Sequence, residues 1–573
     1  MAIIDKMSLA AQAIDSIKKV LKTKMLSVAW SSGKDSSALL GLVVQAAQQL
    51  VQEGVAFQRI LVTHGDTGVE NPEVRAYADS EISRIEAYAK RRGIPLRVLV
   101  ARPSMSESWA LRVIGGRAIP AFPGGNHDCS TDMKVQPMNR LRKKVAGAAK
   151  GDLVTAIGTR FEESPARAAR MRERGERPDE PWKGDDGAMY ISPIAEWTAD
   201  DVWEYLGYCK NGAPDFLTFS DFDGVWRIYA DAAGTSCAVV GDMATKGRSK
   251  PCGARTGCWA CTPIGRDKSL ETMIETDERY AYLRGLNRLQ RFFVNTRFDL
   301  SRRTWLGRTI DEMGYVRVAP DVYSPSMLKE LLQYALTLDA VERKDAWSRG
   351  TRPRFQIISE KMLLAIDAQW NLYGYHKPFE ALKVWRDIVE LGARYEVPEV
   401  QESPRVAMPK PRWLFVGSDW ADQDQLIGLR DLALELSGSE SRGCMGVREI
   451  SRGRIVADVN MREAFDLDDE GVELFFEFEY DDILRRLDAG EDFGPTGGYM
   501  YYARMGILSV SPQAIGRVDE ALRRTWWKAH QGLFGEVSVE RLRELSVSFR
   551  QPDLFGHPTS GGKAFGITEK LAA

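Results

Sequence analysis

No apolar run in this 573-residue chain approaches the roughly 20 residues that a membrane-spanning helix needs, so no spanning helix is expected. Excess charge is missing too. The formal net charge is −2 and the sequence pI about 6.3, so nucleic-acid binding would have to come from a local basic face rather than from the whole molecule. Cysteine is sparse, seven in all, and four of the seven fall between Cys237 and Cys261, which is not the spread of a disulfide framework. Histidine is sparser still, with five residues and none beside that cluster. Residues 1–24 alternate charged with apolar side chains like an amphipathic helix rather than a signal peptide, so a cytoplasmic protein is expected. At roughly 100–200 residues per domain, the length predicts about two to four domains.

The chain is organised around Leu26 to Ser37. A short apolar run, suited to a buried parallel strand, breaks into Ser31-Ser32-Gly33-Lys34-Asp35-Ser36-Ser37 and then into a helical pattern from Ala38 to Gln52. This is a strand, phosphate loop and helix. Ser31, Ser32 and Ser36 offer hydroxyls, Gly33 lets backbone N–H groups approach an anion, and the helix presents its positive end. Lys34 adds a point charge, and Asp35 suits a metal ion or a helix cap. A Walker A loop is excluded: position 28 is Val, and Lys34 is followed by Asp.

Further strands are predicted at Arg59 to Asp66, Leu96 to Ala101 and Asp152 to Arg160, with helices between them, notably Glu73 to Arg92. This alternation predicts an α/β doubly wound parallel sheet with ligands at the carboxyl ends of its strands. Asp66 is then placed for Mg²⁺ or a ribose hydroxyl. Lys134 precedes a basic helix. Gly158 permits close approach to a ligand, and Arg160, Arg167 and Arg170 supply forked phosphate donors or a solvated face. Met171 to Gly187 reads as a mobile loop, and Thr198 with Asp201 as a helix start.

Cys237, Cys252, Cys258 and Cys261 have fourteen, five and two intervening residues. A Cys-x2-Cys turn aims two thiolates at one ion, and two more cysteines complete a four-sulfur site. Spacing alone leaves zinc and iron–sulfur both open.

The loop resembles the PP-loop of ATP pyrophosphatases, usually Ser-Gly-Gly-x-Asp-Ser, with Ser32 in place of the first Gly. Together with Asp66-Thr67-Gly68, Cys129 to Pro137, Gly158-x-Arg160-x-x-Glu163-Ser164-x-x-Arg167 and Pro193 to Trp203, it is similar to the adenine nucleotide alpha hydrolase-like fold of phosphoadenosine phosphosulfate reductases over about Met25 to Leu206. Cys252-Gly253-x-Arg255-x-Gly257-Cys258-Trp259-x-Cys261, with Ala233 to Val240 before it and Asp267 to Leu270 after, resembles the DndC family of bacterial DNA phosphorothioation over roughly Met25 to Leu300. That resemblance implies a 4Fe-4S cluster on the four cysteines, ATP with Mg²⁺ near Asp35 or Asp66, and cleavage between the α- and β-phosphates. It implies Lys34, Asp35, Lys134, Arg160 and Arg167 as the catalytic set, and Ser31 to Ser37, Asp66, Gly158 and Arg160 as the ATP site. As partners it implies DNA, a cysteine desulfurase as sulfur donor and other phosphorothioation subunits. Alternatives are sulfonucleotide reduction, tRNA thiolation and a zinc-bound interaction module. Against reduction stand a last cysteine, Cys444, far from the C-terminus and a single Cys129 where cluster-bearing reductases carry a pair.

The expected organisation is a PP-loop domain at 1–210, a cysteine-rich segment at 211–275, a helical region at 276–396, a Pro-rich linker at 397–412, a mixed α/β domain at 413–550 and a disordered tail at 551–573. Arg284 to Arg308 interleaves seven arginines with aromatics, which suits either DNA contact through Arg291, Arg297, Arg302 and Arg303 or an aromatic core with a wet arginine face. In the last domain a strand is expected from Trp413, another over Gly471 to Tyr480, and helices over Asp422 to Leu436 and Pro512 to Ala529. Its aromatics near Tyr499 and Trp526 suit core packing or a docking surface.

Overall fold

The computed structural model describes residues 2–123, 128–149, 152–233, 257–311, 314–416, 429, 445–450, 454–459, 466–510, 512–538, 540–542 and 544. They fall into two units that do not follow the expected boundaries. The first comprises Met1–Pro103, Ser130–Trp259 and Arg266–Asn287, and the second Ser104–Cys129, Ala260–Gly265 and Arg288–Ala573. The expected helix over Asp422 to Leu436 and the tail at 551–573 lie outside the described residues, apart from Leu429.

The first unit is built on a six-stranded sheet of β1 (Met25–Trp30), β2 (Ile60–Gly65), β3 (Leu96–Ala101), β4 (Leu153–Ala156), β5 (Trp182–Lys183) and β6 (Met189–Ile191), in the order β3-β2-β1-β4-β6-β5. All pairs are parallel except the edge pair β5–β6, so the expected doubly wound sheet is present with one antiparallel strand added. Strand order reverses between β1 and β4, and ligands of such sheets sit outside the carboxyl ends at that point.

Helices α1 (Ala2–Thr23), α2 (Lys34–Gln52), α3 (Pro72–Arg92), α4 (Gln136–Ala148), α5 (Pro165–Glu173) and α6 (Ala199–Lys210) surround the sheet. Every residue of α2 from Ser36 to Ala47 is buried, so this helix is enclosed on all sides and fixes the loop before it. Asn71 caps α3 through Glu73 N–H, with Pro72 at its first turn and Gly93 left-handed at its end. Thr198 and Asp201 form the expected capping box of α6. Met171 to Gly187 departs from the mobile-loop expectation: Met171, Glu176 and Trp182 are buried, and β5 pairs with β6.

In the second unit, the strands Arg303–Ile310 and Tyr315–Tyr323 pair antiparallel and Arg412–Phe415 adds to the latter, in a unit that also holds the long helices Pro325–Ser348 and Glu360–Tyr373. Ser104–Cys129 belongs here because Trp109 packs edge-on against Phe293 and buried backbone carbonyls find side-chain donors. Trp370 Nε1–H donates to the Ile114 carbonyl at 2.7 Å, and Tyr375 Oη to that of Gly116 at 2.9 Å. The strand expected over Gly471 to Tyr480 is helical instead: Asp468 caps a helix from Asp469, and Val472, Phe475, Tyr480, Ile483 and Leu484 recur at helical spacing on the buried side. The expected helix near the end runs from Pro512 to His530.

Gly41 tests how tightly α2 is held. A Cβ there would lie 2.6 Å from Tyr205 Oη on α6 and 3.2 Å from Phe222 Cζ. Gly41→Ala is expected to destabilise the first unit by about 1–3 kcal/mol through overpacking, read as a lowered thermal midpoint; an unchanged midpoint would mean α2 has room to shift.

Candidate phosphate-loop site

The loop between β1 and α2 is held mainly by its own hydroxyls. Ser36 Oγ donates to the Gly33 carbonyl at 3.0 Å and accepts from Ser31 N–H at 3.2 Å, while Ser32 Oγ donates to the Ser31 carbonyl at 2.6 Å. Ser37 is fully buried and accepts the Trp30 indole N–H at 3.2 Å. Its hydroxyl therefore anchors the loop, a correction to its place in the expected ligand set. Ser32 has φ +56, the left-handed region that glycine adopts without cost, so serine is accommodated here at a backbone penalty of about 1–2 kcal/mol.

Asp35 joins the loop to β4. Its carboxylate accepts Lys34 Nζ at 2.8 Å on both oxygens and Arg160 Nε at 2.6 Å. Arg160 is 4% exposed and also donates to Glu162 at 3.2 Å and to the Trp197 carbonyl at 3.3 Å, while its own N–H is capped by Glu163. Gly158 packs on the loop: a Cβ would stand 3.1 Å from the Asp35 carbonyl oxygen and 3.2 Å from Ser36 N. The close approach expected of Gly158 is thus to the loop backbone itself.

The structure joins Lys34, Asp35 and Arg160 by ion pairs, and neither of the other two expected catalytic residues pairs with Asp35 among the described residues. Lys134 is exposed on the helical stretch Thr131–Val135 that runs into α4 and makes no ion pair among the described residues. Arg167 is exposed and pairs with Glu163. Asp66 is buried and committed: Arg75 binds Oδ1, Arg102 Nε binds Oδ2 at 2.7 Å, and Gly68 N–H donates to Oδ1 at 3.1 Å. This arrangement engages both oxygens, so the expected Mg²⁺ role of Asp66 would require releasing an arginine. Among the described residues no group of three or more His, Cys, Asp or Glu could hold a metal ion.

Residues that sequence reasoning missed complete the site. Glu176 is buried and accepts Thr159 Oγ1 at 2.9 Å and Ser192 Oγ at 3.0 Å, steadying the segment that carries Arg160. It went unread because it stands in a charged, Gly- and Pro-rich stretch. His64 closes the end of β2, its ring 5.0 Å from that of Trp30 and its Nδ1 3.1 Å from the Trp30 carbonyl; burial holds its pKa below the usual value.

Cys237 and Cys252 lie outside the described residues. Cys258 forms an isolated antiparallel bridge with Glu70, and Trp259 N–H donates to the Val69 carbonyl at 3.0 Å. Cys258 and Trp259 are therefore pinned to the turn after β2, on the carboxyl-end side of the sheet that also carries the phosphate loop after β1. The Cys261 carbonyl accepts Gln290 Nε2 at 2.7 Å. Neither cysteine is in a disulfide, and each is partly buried.

Of the four arginines considered for DNA, three are engaged within the second unit. Arg303 is 5% exposed over the Tyr323 ring and donates to the Arg297 carbonyl at 2.8 Å, which removes it from any surface role. Arg302 pairs with Glu330 at 2.5 Å and Arg297 donates to the Thr262 carbonyl at 3.3 Å, while Arg291 is exposed. Phe292 and Phe293 are core.

Residues 25–214 match the family model of the phosphoadenosine phosphosulfate reductase domain. This stretch is similar to the phosphoadenosine phosphosulfate reductase domain. The phosphoadenosine 5'-phosphosulfate reductase of Xanthomonas axonopodis pv. citri is 32% identical over 144 residues, covering 25% of this chain and 48% of that protein; those of Xanthomonas euvesicatoria pv. vesicatoria and Xanthomonas oryzae pv. oryzae are 30% identical over 142 residues, with the same coverage. The chain spans about half the length of these curated relatives. Among solved structures, it overlaps FMN adenylyltransferase of Candida glabrata, bound to FAD and inorganic pyrophosphate, at 14% identity and a TM-score of 0.22, covering 36% of this chain and 59% of that one. It overlaps the U34-tRNA thiolase NcsA of Methanococcus maripaludis, which holds a 4Fe-4S cluster, at 12% identity and 0.23, covering 51% and 78%. Overlaps this low carry no argument.

Asp66 gives this site an acid-sensitive component. Burial pushes its pKa up, but Arg102 and Arg75 outweigh that and hold it below the usual 3.8. A depressed folded pKa adds stability that is present above pH 3.8 and lost as pH falls through the lower folded value. Asp66→Asn is expected to cost about 1–3 kcal/mol at neutral pH and to flatten the stability profile below pH 4, as measured by denaturant unfolding across pH. An unchanged profile would mean the arginines contribute nothing there.

Proposed function

We propose that this protein is an ATP pyrophosphatase and sulfurtransferase that activates an oxygen of the DNA backbone for replacement by sulfur. The observation that carries the reading is the pinning of Cys258 to the turn after β2, one strand from the loop where Lys34 and Arg160 share Asp35. The proposed sulfur-handling Cys258 would then stand on the carboxyl-end side of the sheet, where the proposed phosphate cradle follows β1.

ATP would lie with its phosphates on the N–H groups that open α2, near Ser31 to Asp35, with Mg²⁺ near Asp35. Lys34 and Arg160 would offset charge building on the β-phosphate as a non-bridging phosphodiester oxygen attacks the α-phosphorus and pyrophosphate leaves. Sulfide, released from the persulfide of a cysteine desulfurase by two electrons from a dithiol reductant, would then attack the activated phosphorus and displace AMP. Gly158 keeps the loop backbone in place, and Glu163 and Glu176 hold the Arg160 segment. Cys237, Cys252, Cys258 and Cys261 would hold a 4Fe-4S cluster, which supplies electron or sulfur-carrying capacity when bound. DNA and other phosphorothioation subunits are the proposed partners.

Protein purified without oxygen is expected to be brown with about four irons, falling several-fold in Cys258→Ser. With ATP, cysteine, a desulfurase, a dithiol reductant and DNA it should incorporate radioactive sulfur into the DNA backbone. Gly158→Ala, which presses on the Asp35 carbonyl, should lower that rate at least ten-fold while thermal unfolding stays near wild type. Colourless protein carrying one zinc, or sulfur incorporation without ATP, would overturn the reading.

The names of the curated relatives favour one other reading, reduction of a sulfonucleotide. It predicts sulfite from phosphoadenosine phosphosulfate with a dithiol reductant. No sulfite above the no-enzyme control would remove it.

A further inference from the structure

A cavity of about 610 Å³ in the second unit, absorbed by nothing above, is walled by Trp526, Phe493, Tyr501, Met500, Arg486 and Arg504, among others. The volume is that of a small-ligand site. Its chief ring is fixed in advance: Trp526 Nε1–H donates to Thr496 Oγ1 at 2.8 Å, and Thr496 is 2% exposed. Gly494, at φ +73, wraps the indole edge, since a Cβ there would lie 3.2 Å from Trp526 Cζ2. Phe493 is fixed too, with the Arg486 guanidinium 4.7 Å above it.

The two arginines differ. Arg486 is engaged by Glu491 at 2.6 Å and lies 3.9 Å from Asp482, so its charge is already met. Arg504 is exposed and makes no side-chain hydrogen bond or ion pair among the described residues. One uncommitted cation beside held aromatic rings and two methionines suits a flat aromatic group carrying a single negative charge. Glu491 and Asp482 close by disfavour a polyphosphate.

The geometry points to a binding site for one nucleotide unit, its base against Trp526 and its single phosphate on Arg504. This goes beyond the reaction proposed above and rests on different residues, so loss of ATP turnover and loss of this binding are separate failures. The same chemistry is offered by a link of a single strand or by a free nucleoside monophosphate, and the test distinguishes the two.

Full-length protein is titrated into fluorescein-labelled (dT)12, followed by anisotropy at several salt concentrations, with dTMP and duplex of equal length as competitors. Trp526→Leu should weaken binding about five-fold or more, the loss of one stacked base. Arg504→Glu, at an exposed position, should weaken it at least ten-fold, lower the salt slope by about 0.7 and leave thermal unfolding unchanged. Displacement by dTMP at equal phosphate concentration assigns the site to free nucleotides, and its failure assigns it to strands. Should Trp526→Leu unfold, Trp526→Phe and Arg504→Glu decide. Absence of binding to both probes, or binding indifferent to Arg504→Glu, overturns the inference.

Discussion

The carboxylate of Asp35 is the joint on which the first unit's site depends. It lies in the first turn of α2, takes Lys34 from its own loop and takes Arg160 from beyond β4. Because β1 and β4 are the neighbours between which the sheet changes direction, this one ion-pair chain closes the crevice at its switch point. Arg160 is buried, so breaking the pair would strand a desolvated cation; Glu162 and the Trp197 carbonyl soften that cost without removing it. The absence of a side chain at Gly158 lets the β4 segment settle on the Asp35 and Ser36 backbone.

Strain and burial divide the labour around this joint. Ser32 holds a left-handed conformation in a loop whose other members are tied by short hydroxyl bonds. Such a conformation persists only where its surroundings over-determine it, here through Ser36 and the enclosed α2. The turn after β2 is fixed differently, by two arginines on a buried aspartate, and it is this rigid turn that the Cys258 segment uses as its pairing partner.

Much of this was legible in the chain. The strand, loop and helix around Gly33 were readable because an apolar run meets Ser, Gly and a helical pattern, and β3 was placed residue for residue. The partners of Asp66 were not, since Arg75 and Arg102 lie nine and thirty-six residues away with no periodic signal to connect them. Residues 104–129 also escaped, because membership of the second unit is set by donors such as Trp370 and Tyr375, far along the chain. Residues 471–480 misled for a third reason: Phe and Glu alternate locally, while the burial that decides the element runs on to Leu484 at helical spacing. Four cysteines were visible as a set, and the structure describes two of them.

The bond broken in ATP is the most direct measure of what the Lys34–Asp35–Arg160 joint is for. Phosphorus NMR of turnover mixtures containing the full chain, ATP and Mg²⁺ should show AMP and pyrophosphate rising together. ADP with orthophosphate would contradict cleavage beside the α-phosphorus and, with it, the assignment of the serine-rich loop.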